Sequence, residues 1–232
     1  MAEIFGTEGS DSLVGTAEAD SLFGLDGGDT LRGSQQGSDT LIGGLGSDLL
    51  FSSGDNNWIF AGKGDDNITG GTVGGSDTIF GDIGNDVISA GGRNDLVFGN
   101  NDQDEISGGN GNDTIFGGQG NDLIDGDLNN DLIFGDLGND TIIGGAGNDQ
   151  FVIGPGFGLD IINDYGRDTD SLLLQGNITE ADLEFVTSTK NIGFQNPDVS
   201  VIVRSTGETI AILRDISLEE FNSIKIVEPL IL

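Results

Sequence analysis

A glycine-rich unit of nine residues recurs sixteen times between Gly6 and Val152, and that period leaves the backbone few folds to choose from. A regular copy is Gly117-Gly-Gln-Gly-Asn-Asp-Leu-Ile-Asp125, with glycine at places 1, 2 and 4, aspartate at place 6 and an aliphatic residue at place 8. Place 8 reads Leu13, Leu22, Leu31, Leu41, Leu50, Ile59, Ile68, Ile79, Ile88, Val97, Ile106, Ile115, Ile124, Ile133, Ile142 and Phe151, apolar in every copy. A three-residue strand points its middle side chain to one face and the flanking two to the other, so this column predicts the inside of a coil. The six residues before each strand must turn, and glycine there supplies positive φ and close backbone approach.

Place 6 carries Asp11, Asp20, Asp29, Asp39, Asp48, Asp66, Asp77, Asp86, Asp95, Asp104, Asp113, Asp122, Asp131, Asp140 and Asp149, with Asn57 as the one substitution. The register is broken only by one extra residue in Gly33–Asp39 and two in Gly70–Asp77. Forty acidic residues stand against eight basic ones, for a formal charge of −32. Because the acids are phased rather than scattered, a cation is the expected partner. The same sign argues against nucleic acid and anionic membrane, whose phosphates need Lys and Arg. There is no cysteine for a disulfide or thiolate site, and no apolar window long enough for a membrane span.

The pattern Gly-Gly-x-Gly-x-Asp-x-U-x, where U is a large aliphatic residue, resembles the repeats-in-toxin (RTX, haemolysin-type) calcium-binding nonapeptide. The resemblance spans residues 6–152. It implies an all-β, right-handed parallel β-roll, a β-helix-like solenoid of about eight two-turn coils, on the order of 38 Å long at about 4.8 Å per stacked strand. It also implies calcium between turns stacked on one edge, held by the place-6 aspartates from Asp11 to Asp149. Backbone carbonyls of Gly24, Gly27, Gly43, Gly46, Gly64, Gly81, Gly84, Gly117, Gly120, Gly135 and Gly138 would complete the shell. Independently of the resemblance, one core residue in nine offers too little apolar burial to offset the ordering of the other eight, and calcium, which takes 6–8 oxygen ligands in flexible geometry, supplies what is missing.

Sorting turns by edge exposes an asymmetry. Odd turns, such as Gly24–Asp29 and Gly135–Asp140, keep the place-4 glycine in all but Gly99–Asp104. Six of the eight even turns depart, through Glu18, Arg93 or Asn129 at place 4, the two insertions, or Asn57. Calcium is therefore expected along nearly the whole odd edge, with missing or differently built sites over the first two-thirds of the even edge. Place 9 of the even repeats carries Phe60, Phe80, Phe98, Phe116 and Phe134, an outward aromatic ladder beside Trp58, Leu96 and Leu132. Such a ladder either stacks on itself or meets a protein partner or a second copy.

After Val152 the repeat stops, so residues 1–152 are expected to form the roll and 153–232 a mostly-β C-terminal cap. The exit segment offers Asp160, Asp164, Asp168 and Asp170 as candidates for a further ion. Leu183–Thr187, Val199–Arg204 and Thr209–Arg214 read as strands, and Ser217 with Glu220 as the capping box of a short helix. The terminal Val227-Glu228-Pro-Leu-Ile-Leu232 resembles the uncleaved C-terminal export signal of this family's secreted members, and no cleavable N-terminal signal is evident. With no histidine and no G-x-S-x-G elbow there is no zinc-protease motif or His-based triad, and because the repeats begin at Gly6 no catalytic domain is expected. The sequence thus predicts a non-enzymatic calcium-binding module, extracellular or at the cell surface, that folds on meeting calcium and loses its metal in acid. The alternative is a non-catalytic accessory or adhesion module for a separately encoded secreted enzyme or surface layer.

Overall fold

The nine-residue period becomes two sheets facing each other across one column of side chains. The computed structural model describes residues 1–72, 75–166, 168–188, 196–214 and 216–227. The tail residues 228–232 read as an export signal lie outside the described residues, as do Val73 and Gly74 of the second insertion. Strands of the even repeats form one sheet, from Glu3–Phe5 through Ser21–Asp26 to Gln150–Ile153, and strands of the odd repeats form the other, from Ser12–Val14 to Thr141–Ile143. Neighbours in each sheet are parallel and two repeats apart, so Ile106 pairs with Ile124 and Phe98 with Phe116. The insertions leave this register intact: Phe23 still pairs with Ile42 and Phe60 with Phe80, so the extra residues are absorbed in the turns.

Every place-8 side chain from Leu22 to Phe151 is buried. Leu13 is only half-buried, because the first coil has a neighbour on one side alone. The winding also outlasts the motif. Gln150–Ile153 pairs with Ser171–Leu174, and Thr141–Ile143 with Asp160–Ile162, both in parallel, so the solenoid makes about nine turns rather than the eight of the nonapeptide count. Ile162, Leu172 and Leu174 continue the buried column, so the stack extends past the last glycine-coded turn.

Beyond the last coil, Glu208–Leu213 adds in parallel to Asp160–Ile162, and Val199–Val203 and Leu183–Thr187 follow as an antiparallel meander. The helix Leu218–Asn222 carries the expected capping box: Ser217 accepts from the Glu220 N–H and the Glu220 carboxylate accepts from the Ser217 N–H. Ile226–Val227 then pairs with Ser171–Leu174. Tyr165 ties this end together; its hydroxyl receives the Lys225 N–H at 3.2 Å. No helix among the described residues is long and apolar enough to cross a membrane.

Candidate metal sites along the two edges

Each place-6 aspartate has two oxygens with different duties. In Asp122, Oδ1 accepts the main-chain N–H of Asp104, one coil earlier, at 2.9 Å, and the same bond recurs between successive place-6 residues along both edges. These carboxylates are almost wholly buried, from 0 to 4 % exposed between Asp20 and Asp149. Oδ2 decides the chemistry. In Asp29, Asp48, Asp66, Asp86, Asp104, Asp122 and Asp140 on the odd edge, and in Asp95, Asp113 and Asp131 on the even edge, it is buried and accepts no hydrogen bond. Leaving a charged acceptor in that condition costs roughly 1–3 kcal/mol or more, so ten such oxygens in register call for a cation.

Backbone carbonyls converge on the same gaps. A methyl group added at Gly43 would overlap both Asp48 Oδ2 and the carbonyl oxygen of Ala61 one coil on, and the same pairing recurs at Gly24, Gly99 and Gly126. Ala61 and Ala90 take place 1 with buried methyls, so the position needs a small residue rather than glycine alone. Stacked place-4 residues also meet through carbonyls: the oxygens of Gly27, Gly46, Gly64 and Gly120 lie against the α-carbons of Gly46, Gly64, Gly84 and Gly138. Among the described residues no three acidic side chains converge on one point. A cation here would therefore draw most of its oxygens from the backbone, which suits calcium better than magnesium, with its tight octahedron and retained waters.

Backbone conformation divides the turns in the same way but for the turn of Asp149, where Gly145 and Gly147 take the left-handed pair although Asp149 Oδ2 is not among the orphaned oxygens. In the ten turns with an orphaned Oδ2, places 2 and 4 both have positive φ wherever they are occupied by glycine, and non-glycine residues are forced to follow. Leu25, Asp82, Asn100, Asp127 and Asp136 do so at place 2, and Arg93, Asp102 and Asn129 at place 4. Such conformations cost of order 1 kcal/mol or more for a side chain with Cβ and persist only where the surroundings demand them. Strand length gives the same partition. Ten strands of the roll run six residues, each continuing into one of those ten turns: Ser21–Asp26 leads to Asp29, Val87–Gly92 to Asp95 and Leu132–Leu137 to Asp140.

This corrects part of the expected asymmetry. Arg93, Asn129 and Asp102 look like departures at place 4, yet all three adopt the left-handed conformation of the glycine they replace. The even edge is therefore irregular only through the turns of Asp20, Asp39, Asn57 and Asp77. There the acids have partners within the chain. Asp20 Oδ2 receives the Thr16 N–H and hydroxyl at 2.5 and 2.7 Å, Asp39 Oδ2 the Ser34 N–H at 2.7 Å, and Asp77 Oδ2 the Ser52 hydroxyl at 2.9 Å. On the odd edge only Asp11 is similar, bonded by the Thr7 N–H and hydroxyl. The aspartate count overlooks these donors, although Ser or Thr at place 1 or 2 marks them in the sequence. A second overlooked row is place 5, where Asn112 receives the Asn130 N–H and Asn121 the Asn139 N–H, stitching coils together outside the metal column.

Titration follows the environment. Burial pushes Asp86, Asp95 and Asp131 up to about 8, and Asp66, Asp104 and Asp140 to about 7, with neighbouring carboxylates adding to the rise. Asp48, Asp113, Asp122 and Asp149 are raised by burial to about 6. Asp20 moves the other way, held below the ordinary carboxylate range by the Thr16 hydroxyl and N–H. Bringing ionised carboxylates into the first group of positions requires a compensating positive charge.

The exit aspartates divide by role. Asp160 and Asp170 take over place 6, receiving the N–H groups of Asp140 and Asp149. Asp164 instead receives the Gly144 and Gly145 N–H groups, both at 2.9 Å, and Asp168 that of Gly147, so these two acids cap the last even turn.

A family model described as the RTX calcium-binding nonapeptide repeat matches this chain in overlapping windows that together run from residue 5 to residue 158. The chain belongs to the RTX calcium-binding nonapeptide repeat family. A search of curated proteins finds no match for it. As RTX repeats, the Gly-rich turns bind calcium, and the roll they build is a structural, calcium-binding module. The buried, unpartnered oxygens fit that metal: the aspartates from Asp29 to Asp140 on the odd edge, with Asp95, Asp113 and Asp131, would hold calcium together with carbonyls of the adjoining coil. Calcium bound there would supply positive charge to the carboxylates and tie neighbouring turns together.

Proposed function

We propose that this RTX chain is a non-catalytic module whose folding is driven by calcium, with one ion for each orphaned Oδ2, seven on the odd edge and three on the even. The observation that carries this reading is the coincidence of those ten oxygens with ten six-residue strands and with the left-handed pair at places 2 and 4, a pair shared beyond them within the repeats only by Gly145 and Gly147 in the turn of Asp149. In calcium-poor surroundings the buried acids and the charge of −32 favour an expanded polyanion. In calcium-rich surroundings, such as the outside of a cell, the same acids become ligands and the coils close. Export as an unfolded chain followed by folding outside the cell accords with this switch, and places the working protein in the extracellular space or on a cell surface. Calcium titration followed by circular dichroism and calorimetry tests the reading: β-structure should appear with metal uptake near the ten-ion count. Circular dichroism that is unchanged by excess EGTA would sink it.

A second reading, a surface or accessory module that docks a protein partner, draws on the even sheet. Phe60, Phe80, Phe98, Phe116 and Phe134 stack with ring centroids 4.3–5.0 Å apart, and Trp58 lies over Phe60 and Phe80 while 50 % exposed. Within the Phe ladder each ring stacks on its neighbours, so its faces are largely taken up. Sugar stacking, which needs open ring faces, is disfavoured against apolar protein contact. Sedimentation of the calcium-loaded chain with and without Trp58→Ser would show whether this face drives self-association.

A further inference from the structure

We propose that side-chain hydroxyls stand in for calcium at the N-terminal end of the even edge and in the first odd turn, so that these turns close without metal. The inference rests on the calcium reading above and concerns where the metal does not go. Thr7 and Thr16 each place both N–H and hydroxyl on the Oδ2 of their own turn's aspartate, at 2.5–2.8 Å. Ser52 reaches across to Asp77 Oδ2. The positions these donors fill are those left without a donor at Asp122 or Asp131.

Asn57 completes the substitution. Its amide oxygen accepts the Asp39 N–H at 2.8 Å, the duty of a place-6 carboxylate, while its amide nitrogen donates to Asp77 Oδ1 at 3.0 Å. A carboxylate at this position would bring a second negative charge against Asp77; the amide brings a donor instead. The backbone agrees, since neither Thr7, Thr16, Ser34 nor Ser53 takes the positive φ that place 2 adopts in the metal-type turns. A turn whose aspartate Oδ2 already accepts from its own chain gives a cation less to compensate, and it lacks the left-handed pair of the other turns. The hydroxyls are thus specificity-determining positions that confine calcium to the remaining turns.

The test compares the full-length chain with its Thr16→Ala, Thr16→Ser, Ser52→Ala and Asp122→Asn variants, in saturating calcium and in EGTA. Calcium stoichiometry is read by calorimetry and local stability by amide hydrogen exchange. The expected result is that Thr16→Ala and Ser52→Ala leave the stoichiometry unchanged but speed exchange in their own coils roughly tenfold to a hundredfold even in saturating calcium, the loss of a hydrogen bond to a charged group. Thr16→Ser should restore protection, and Asp122→Asn should lose one ion. A drop in stoichiometry with Thr16→Ala or Ser52→Ala would show that the hydroxyls assist metal binding, and unchanged exchange would show that they do nothing; either overturns the inference. Should a variant fail to fold, a terbium-loaded crystal of the unaltered chain decides by anomalous signal: ions beside Asp11, Asp20, Asp39 or Asp77 overturn it, and ions confined to the other turns support it. No metal uptake anywhere in the unaltered chain would instead retire the calcium reading itself, and this inference with it.

Discussion

The odd edge and the first four even turns are built from the same nine-residue unit, yet they solve the problem of a buried aspartate in opposite ways. On the odd edge, from Asp29 to Asp140, Oδ2 is left bare and the turn adopts a left-handed pair at places 2 and 4, even where Leu25, Asp82 or Asp102 must bear the strain. On the early even edge, Thr16, Ser34 and Ser52 satisfy the same oxygen, and the strands stop after three residues, as in Thr30–Arg32 and Asn67–Thr69. The first region therefore leaves its buried acids without donors, and the second supplies donors from its own chain. The contrast shows that a place-6 aspartate alone does not leave a buried, unpartnered oxygen; the absence of a local donor does, in turns that share the left-handed backbone.

The largest expected effect is that of metal removal. EGTA should abolish most of the β-signal in circular dichroism and expose the odd-edge amides first, while the amides of Asp20 and Asp39 retain the most protection in the repeat region. Equal loss on both edges would erase the comparison.

Next comes pH, with opposite signs in the two states. In the metal-free roll, burial raises Asp86, Asp95 and Asp131 to about 8, above the value they have unfolded. Their contribution to stability is then fully present below the usual carboxylate value near 3.8 and is lost as pH rises through about 8. In EGTA, acidification from pH 8 to 5 should therefore increase β-structure. In calcium the ligands must be ionised, so the same acidification should release metal and lower the melting temperature. Denaturation curves that shift the same way with and without calcium would contradict this.

Single substitutions sharpen the contrast further. Asp122→Asn should lose one ion and about 3 kcal/mol at a calcium concentration a hundredfold above the dissociation constant. Asp39→Asn should lose no ion and cost about 1 kcal/mol, because only internal hydrogen bonds are weakened. The smallest effect is that of Leu25→Gly: Leu25 holds φ at 81°, and relieving this should raise the calcium-loaded melting point by the equivalent of up to about 1 kcal/mol. A lowered melting point would show that its half-exposed side chain matters more than its backbone.

Much of this was legible from spacing. The period of nine, the apolar place 8 and the phased aspartates gave the parallel stack, the buried column and the candidate ligands, because a strand's alternation and a turn's glycines act locally and identically in each copy. The C-terminal strands and the Ser217–Glu220 capping box were equally local signals. Other features were misjudged. Arg93 and Asn129 read as broken turns, but the stacked neighbours Gly111 and Gly147 hold them in the left-handed form. The end of the nonapeptide at Val152 read as the end of the roll, but Asp160 and Asp170 carry the place-6 bonds onward.

Sequence by itself determined the repeat, the inward and outward faces, the acidic edges and the aromatic ladder, all of which follow from the order of residues within one unit. Only the tertiary structure decided which aspartate oxygens are buried and bare: Thr7, Thr16 and Ser34 sit in the turn of the acid they bond, but Ser52, the donor to Asp77, lies a full coil away in the chain and is adjacent only after stacking. The physical reason is that an oxygen calls for a cation when it is buried without a hydrogen bond, and its burial is a property of the neighbouring coils rather than of the nonapeptide that carries the acid.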